Sequence, residues 1–108
     1  MSLFANIILE QLGGTSVLNR MLGIKSLASD ESTKSLTIKF KAQGKEGVNT
    51  IVIRLDSSDT YELKFWSCRV LQIKLLEECS DVFAEDLIST CEEVTGLAFR
   101  IPKVVFPR

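Results

Sequence analysis

The chain has 108 residues, of which 45% are hydrophobic and 25% are charged, a composition typical of a folded domain. It predicts a single domain over residues 1–108 and excludes a collagen-like repeat, a Gly/Pro linker and a disordered tail. The net charge of −1 excludes a whole-molecule electrostatic attraction to nucleic acid or to acidic lipid.

The chain contains no histidine and three cysteines, Cys68, Cys79 and Cys91. Without histidine, the Ser-His-Asp and Cys-His arrangements are excluded within one chain, and the commonest metal ligand is missing. No Cys-x-x-Cys pair occurs, and an odd number of cysteines is typical of a reducing compartment. We therefore expect no cofactor, no metal site and no enzymatic activity.

The first residues of the chain do not predict a targeting signal. Its first apolar run is too short for a signal peptide and lacks a basic leader, and no stretch approaches the length of a transmembrane helix. The sequence thus predicts a cytoplasmic protein without a membrane partner.

In chain order, the first predicted element is a helix over residues 2–12. Its apolar residues recur at spacings of three and four along one stripe: Leu3, Phe4, Ile7, Ile8 and Leu12. Ser2 can cap its start, and Gly13 stands where a left-handed C-terminal cap belongs. Residues 15–28 fit a helical turn and the start of a strand equally well, and residues 29–35 form a polar loop.

Four alternating segments, residues 36–41, 50–55, 61–66 and 71–75, predict strands, and their short connections favour antiparallel neighbours. Residues 81–95 return to helical spacing, with Ser80 as the cap, Phe83 on the buried row and Gly96 at the end. The predicted fold is α+β, an antiparallel meander of four or five strands with an N-terminal and a C-terminal helix packed on one face. Residues 98–108, which contain Pro102 and Pro107, are predicted to form an extended arm or an edge strand.

Charge is segregated along the chain. Residues 32–76 contain eight basic and four acidic side chains, whereas residues 77–93 contain seven acidic side chains and no basic one. Most basic residues of the first segment occupy strand positions opposite the apolar rows, so they are expected on one outward sheet face together with Trp66. The predicted binding face comprises Lys39, Lys41, Arg54, Lys64, Trp66 and Lys74.

Three functions are compatible with this face. The leading hypothesis is a non-enzymatic binding or assembly protein whose partner is another protein or a second copy, because Trp66 and the apolar residues 104–106 suit a protein interface. The alternative is single-stranded nucleic-acid binding, with lysines on phosphates and Trp66 stacking on a base, although one aromatic is fewer than stacking platforms normally use. A carboxylate-dependent enzyme or enzyme subunit is the least favoured alternative.

Four short segments occur together in this order: Gln11-Leu12-Gly13-Gly14, Met21-Leu22-Gly23-Ile24-Lys25, the strand start Asp59-Thr60-Tyr61, and the helix end Thr95-Gly96-Leu97. Their order and spacing resemble those of a group of small uncharacterised proteins encoded by bacteriophages and prophages. The resemblance implies a compact α+β accessory protein of phage origin that acts in the host cytoplasm. It also implies that residues 21–25 belong to a strand.

Overall fold

The computed structural model describes residues 3–56 and 58–99. Two helices, α1 (Leu3–Gln11) and α2 (Thr15–Leu22), precede the strands, and a third helix, α3 (Leu87–Thr95), follows them. The strands are β1 (Ile24–Asp30), β2 (Ser35–Phe40), β3 (Thr50–Leu55), β4 (Tyr61–Arg69) and β5 (Gln72–Val82). They pair antiparallel in chain order, β1-β2-β3-β4-β5, which confirms the predicted α+β meander with N-terminal and C-terminal helices.

The hydrophobic core lies between the inner face of the sheet and the helices. Directly paired residues of neighbouring strands carry their side chains on the same face. Two such rows cross the inner face, and none of their side chains is more than 1% exposed: Leu36–Ile53–Leu63 and Ile38–Ile51–Phe65. The helices contribute further buried side chains, among them Ile8, Leu9, Leu18, Leu87 and Cys91. The Tyr61 hydroxyl donates to Gln11 Oε1 and so links β4 to the end of α1.

The ambiguous segment 15–28 divides into α2 and β1. Leu18 and Leu22 are four residues apart and both buried, so this stretch gains most from a helix that turns one face inward. Gly23, with φ 70°, ends the helix, and the strand begins at Ile24. The expectation of a strand over residues 21–25 is therefore wrong for Met21 and Leu22. The loop expected over residues 29–35 is shorter, because β1 continues to Asp30.

The C-terminal helix begins later than the sequence predicts. Strand β5 continues to Val82, which is buried and paired with Tyr61, so Ser80 and Asp81 are strand residues and do not cap a helix. A 3-10 turn over Ala84–Asp86 separates β5 from α3, and Phe83 is 57% exposed instead of buried. The end of the helix is confirmed, since Gly96 takes a left-handed φ of 70° directly after Thr95.

The chain turns back along α3 after Gly96. Phe99 is fully buried, and its backbone N–H donates to Glu92 Oε2 at 3.0 Å. The rest of the predicted arm, residues 100–108, lies outside the described residues, as do Ser2 and the apolar residues 104–106.

Candidate interaction surface

Four of the six residues of the predicted binding face lie on the outer face of the sheet, which points away from the core. One row of paired residues crosses this face from β2 to β5 and consists of Lys39, Thr50, Trp66 and Leu75. Arg54 and Lys64 occupy the outward positions of neighbouring rows on β3 and β4. Trp66 is half-buried within this row and takes no part in the core. The strand alternation therefore brings Lys39, Arg54, Lys64 and Trp66 together.

Part of the positive charge on this face is neutralised by Glu62. Arg54 Nη2 donates to Glu62 Oε2 at 2.8 Å, and Lys64 Nζ lies 3.8 Å from Glu62 Oε1. The hydrogen bond to Glu62, reinforced by the charge of that carboxylate, raises the pKa of Arg54. Two of the cations expected to contact phosphates thus already share one carboxylate, which lowers the number of counterions that nucleic acid would release on binding.

The two other predicted members lie elsewhere. Lys41 lies beyond the end of β2, where its backbone N–H donates to the Gly23 carbonyl oxygen at 2.7 Å. Lys74 pairs with Ser67, a buried residue of the inner side of β4, so it points to the opposite face from Trp66. The placement of Lys74 on the basic outer face is therefore wrong.

The hairpin turn explains the position of Lys74. Arg69 pairs with Gln72 across a two-residue turn, and this register puts residues 72 and 74 on the side of Ser67. The alternating aliphatic residues Ile73 and Leu75 consequently pair with Cys68 and Trp66 on the outer face. A bulge at Leu76, between the partners of Phe65 and Trp66, then shifts the phase of the strand again.

An exposed apolar tip results at the end of the β4–β5 hairpin. The exposed fraction of its large side chains is 100% for Val70, 97% for Leu71, 70% for Ile73 and 39% for Leu75. Among the described residues, only three other large hydrophobic side chains reach comparable exposure, and they lie on α1 and before α3: Leu3, Ile7 and Phe83. The apolar tip thus gathers four of the seven exposed large hydrophobic side chains on one hairpin beside Trp66.

The hairpin is fixed to the sheet just below the tip. Asn49, which precedes β3, donates from Nδ2 to the Cys68 carbonyl oxygen at 2.9 Å and accepts the Cys68 N–H on Oδ1 at 2.9 Å. Its own backbone N–H donates to the Trp66 carbonyl oxygen at 3.0 Å. These bonds continue the ladder beyond the first residue of β3, so the apolar tip is presented by an ordered strand pair.

A concave feature lies between β5 and α3 on the inner side of the sheet. It is an open groove of about 480 Å³, with an apolar lining formed by Val48, Phe65, Leu76 and Val94. Three carboxylates and one lysine complete the lining, namely Glu46, Glu77, Glu93 and Lys45. Lys45 Nζ donates to the backbone carbonyl oxygen of Glu93 at 3.3 Å. We call this feature the acidic groove.

Two of the three cysteines, Cys79 and Cys91, are poorly placed for nucleophilic chemistry. Burial, followed by the nearby Cys79, raises the pKa of Cys91 to about 12, so this thiol stays protonated at neutral pH. Burial also raises the pKa of Cys79, and the carboxylates of Glu77 and Glu93 add to the shift. Within residues 3–56 and 58–99, no group of three or more Cys, Asp or Glu side chains is arranged to hold a metal ion.

Neither the apolar tip nor the acidic groove was predicted from the sequence. A signal for the first was present, since Arg69-Val70-Leu71-Gln72 joins two alternating runs and a turn there sets their relative phase. The groove depends on the approach of α3 to β5, for which a single sequence carries no local signal.

Comparison with protein-family models, with curated proteins and with solved structures finds no match to this chain. Within the described part of the chain, each helix is too short or too polar to cross a lipid bilayer.

Proposed function

We propose that this protein is a non-enzymatic binding or assembly protein, which contacts another protein chain through the apolar tip and the adjoining outer face around Trp66. The observation that carries the proposal is the exposure of Val70, Leu71 and Ile73, between 70% and 100%, on a hairpin that is tied to the sheet by Asn49. Contiguous exposed apolar surface of this kind marks interaction sites on soluble proteins.

The energetics support a contact role. Removing a large aliphatic side chain from water is worth roughly 1.5–3 kcal/mol, so burial of the tip would supply several kcal/mol to an interface. A stable interface buries roughly 800 Å² per partner, more than the tip alone offers. We therefore include Trp66, which pairs with Leu75 of the tip, and Lys64 and Lys39, which lie farther from the tip on the same outer face, as its aromatic and polar surround.

Nucleic-acid binding through the same face is less well supported. Glu62 holds Arg54 and lies close to Lys64, and Lys74 points to the other face. The largest exposed side chains beside Trp66 are aliphatic, and these offer neither charge for phosphates nor a flat surface for bases.

The biological setting is also part of the proposal. The resemblance of four segments to small phage and prophage proteins supports an accessory role in the cytoplasm of a host cell. In that setting the partner is a second copy of this chain or another protein made during infection.

The test is sedimentation velocity on the full chain over a wide concentration range. We expect the wild type to self-associate and the Val70→Ser/Leu71→Ser variant to be shifted towards monomer. Leu3→Ser is the matched control, because Leu3 is also a large aliphatic residue, 77% exposed, but lies on α1. A wild type that stays monomeric at high concentration would contradict self-association, and equal effects of both variants would contradict the role of the tip.

A further inference from the structure

The acidic groove has the dimensions and lining of a peptide-binding site. Its volume of about 480 Å³ is within the range of roughly 300–1,000 Å³ that is common for binding pockets. Its walls are β5, which ends the sheet in strand order, α3, and the short 3-10 helix Lys45–Gly47 together with Val48 before β3. A groove between an edge strand and a helix is a recurring place for an extended peptide, which lies beside the strand and inserts alternate side chains.

The charge of the groove defines the kind of peptide that it fits. Glu77 and Glu93 form no ion pair within the described part of the chain, and Glu46 adds a third carboxylate. Lys45 is the single cation in the lining and is bonded to a backbone carbonyl oxygen. The accessible apolar surface of the groove belongs to the half-buried Leu76 and Val94, whereas Phe65 and Val48 form a floor that is at most 1% exposed. An extended segment that combines large apolar and basic side chains and lacks acidic ones matches both features.

The chain itself contains such a segment. Residues 100–108 carry three basic residues and no acidic one, together with four large apolar residues: Arg100, Lys103 and Arg108 with Ile101, Val104, Val105 and Phe106. We propose that residues 100–108 of one copy bind the acidic groove of a second copy. This inference rests on the proposed assembly function and names one of its interfaces.

The path of the chain favours a second copy over the same molecule. The Phe99 N–H is bonded to Glu92, whereas the groove is lined by Val94. At 3.6 residues per turn, Glu92 and Val94 are separated by roughly 200° about the axis of α3 and lie on its two flanks. To reach the groove of its own molecule, the segment would have to pass around the helix, which is roughly 10 Å wide. A neighbour's groove requires no such detour.

The mode of assembly follows from this geometry. The groove and the terminal segment are different surfaces, so the contact is head-to-tail and leaves an unused groove and an unused segment at the ends. Such contacts close into a ring or continue into a chain. The expected species are a dimer, if two copies exchange their segments reciprocally, or a larger ring or open chain, if the contact does not close after two copies.

The test is a fluorescence anisotropy titration of a labelled synthetic peptide, residues 100–108, with the full chain at moderate salt. We expect saturable binding that weakens roughly 3- to 10-fold in the Glu77→Gln/Glu93→Gln variant, since two charge contacts are lost. Glu78→Gln is the matched control. Glu78 is the neighbouring carboxylate of β5, but it pairs with Lys64 and therefore faces the outer side. Its variant should bind the peptide as the wild type does.

A charge exchange in the full chain gives a second measurement. Lys103→Glu and Glu77→Lys should each reduce self-association in sedimentation, and an equimolar mixture of the two variants should recover part of it. Absence of peptide binding at millimolar protein, or equal losses for Glu77→Gln/Glu93→Gln and Glu78→Gln, would overturn the inference. The proposed role of the apolar tip would survive either result, because Val70→Ser/Leu71→Ser is expected to leave the peptide affinity unchanged.

Discussion

Two strands of this sheet carry alternating apolar residues, but the side chains are buried in one strand and exposed in the other. In β2, Leu36, Ile38 and Phe40 are at most 2% exposed, whereas in β5 Ile73 and Leu75 are 70% and 39% exposed. The two runs are equally regular in sequence. Strand β2, however, lies between two strands on the helix-covered part of the sheet, and the first half of β5 belongs to a hairpin that extends past β3. Alternation therefore indicates a strand, while the turn decides which side its apolar residues occupy.

The two regions also differ in what they contribute, one to folding and the other to contact with a partner. The rows on β2, β3 and β4 bury their side chains against helices and supply the hydrophobic contribution to folding. The apolar tip leaves comparable side chains in water, where they contribute nothing to the stability of the isolated chain. A folded protein that keeps these residues exposed gains from them only when another surface covers them.

The sharpest test of this division compares the same substitution in both regions. Ile51→Ala removes a fully buried side chain from the inner row, and we expect it to lower the free energy of unfolding by about 2–5 kcal/mol. Ile73→Ala removes a side chain that is 70% exposed, and we expect a change within about 0.5 kcal/mol. Urea denaturation of both variants at low protein concentration provides the measurement.

The low concentration matters because association would stabilise the folded state by mass action. If Ile73→Ala cost as much as Ile51→Ala in the monomer, the hairpin residue would have to be buried within its own chain, and the distinction between the two regions would be lost. If the cost appeared only at high concentration, it would belong to the interface.

The interior can be probed separately through the pH dependence of stability. The pKa of Cys91 is raised to about 12 in the folded protein, from an ordinary value of 9.0, chiefly by burial. Above pH 9 the unfolded chain releases this proton and the folded chain keeps it, so the free energy of unfolding falls as pH rises. The contribution of Cys91 reaches about 1.4 kcal/mol per pH unit between the two values.

Urea denaturation between pH 8 and the highest pH at which folding is reversible measures this slope. Tyr61 and Cys79, whose pKa values burial also raises, contribute in the same direction, so the comparison is between variants. Cys91→Ala should be less stable than the wild type near pH 8 but show a flatter decline, so the difference in stability between the two proteins should shrink as pH rises. Leu87→Ala, also in the interior, should lose stability and keep the wild-type slope. Identical slopes for Cys91→Ala and wild type would show that the thiol is not held in a low-dielectric interior.

Much of the fold could be predicted because its signals are local. The period of two in residues 36–40 and 50–55 and the glycine at position 96 specify their elements without long-range information. The start of α3 could not be predicted, because residues 81–86 fit a helix by spacing while pairing of Val82 with Tyr61 extends β5 instead. Tertiary pairing outweighed local propensity at that point.

The candidate site was predicted only in part, for a related reason. Lys39, Arg54, Lys64 and Trp66 share a face because each follows the alternation of its own strand. Lys74 does not, because its orientation depends on the Arg69–Gln72 register of the turn. Glu62, the residue that neutralises part of the face, was present in the sequence two residues from Lys64, but its contact with Arg54 depends on the register of β3 against β4.

The smallest change in stability is expected from Glu62→Gln. This variant distinguishes nucleic-acid binding from protein binding at the outer face. Arg54 is exposed to solvent, so loss of its ion pair should change the midpoint of urea denaturation very little. If the face bound single-stranded nucleic acid, freeing Arg54 and Lys64 would add two phosphate contacts and steepen the dependence of log K on log salt by roughly 1.4. We expect instead no salt-dependent retention of a fluorescent oligonucleotide by either protein, with Glu78→Gln as the control for charge alone. An oligonucleotide that binds the wild type, binds Glu62→Gln more tightly and follows that steeper slope would assign the outer face to nucleic acid and leave the apolar tip without its proposed surround.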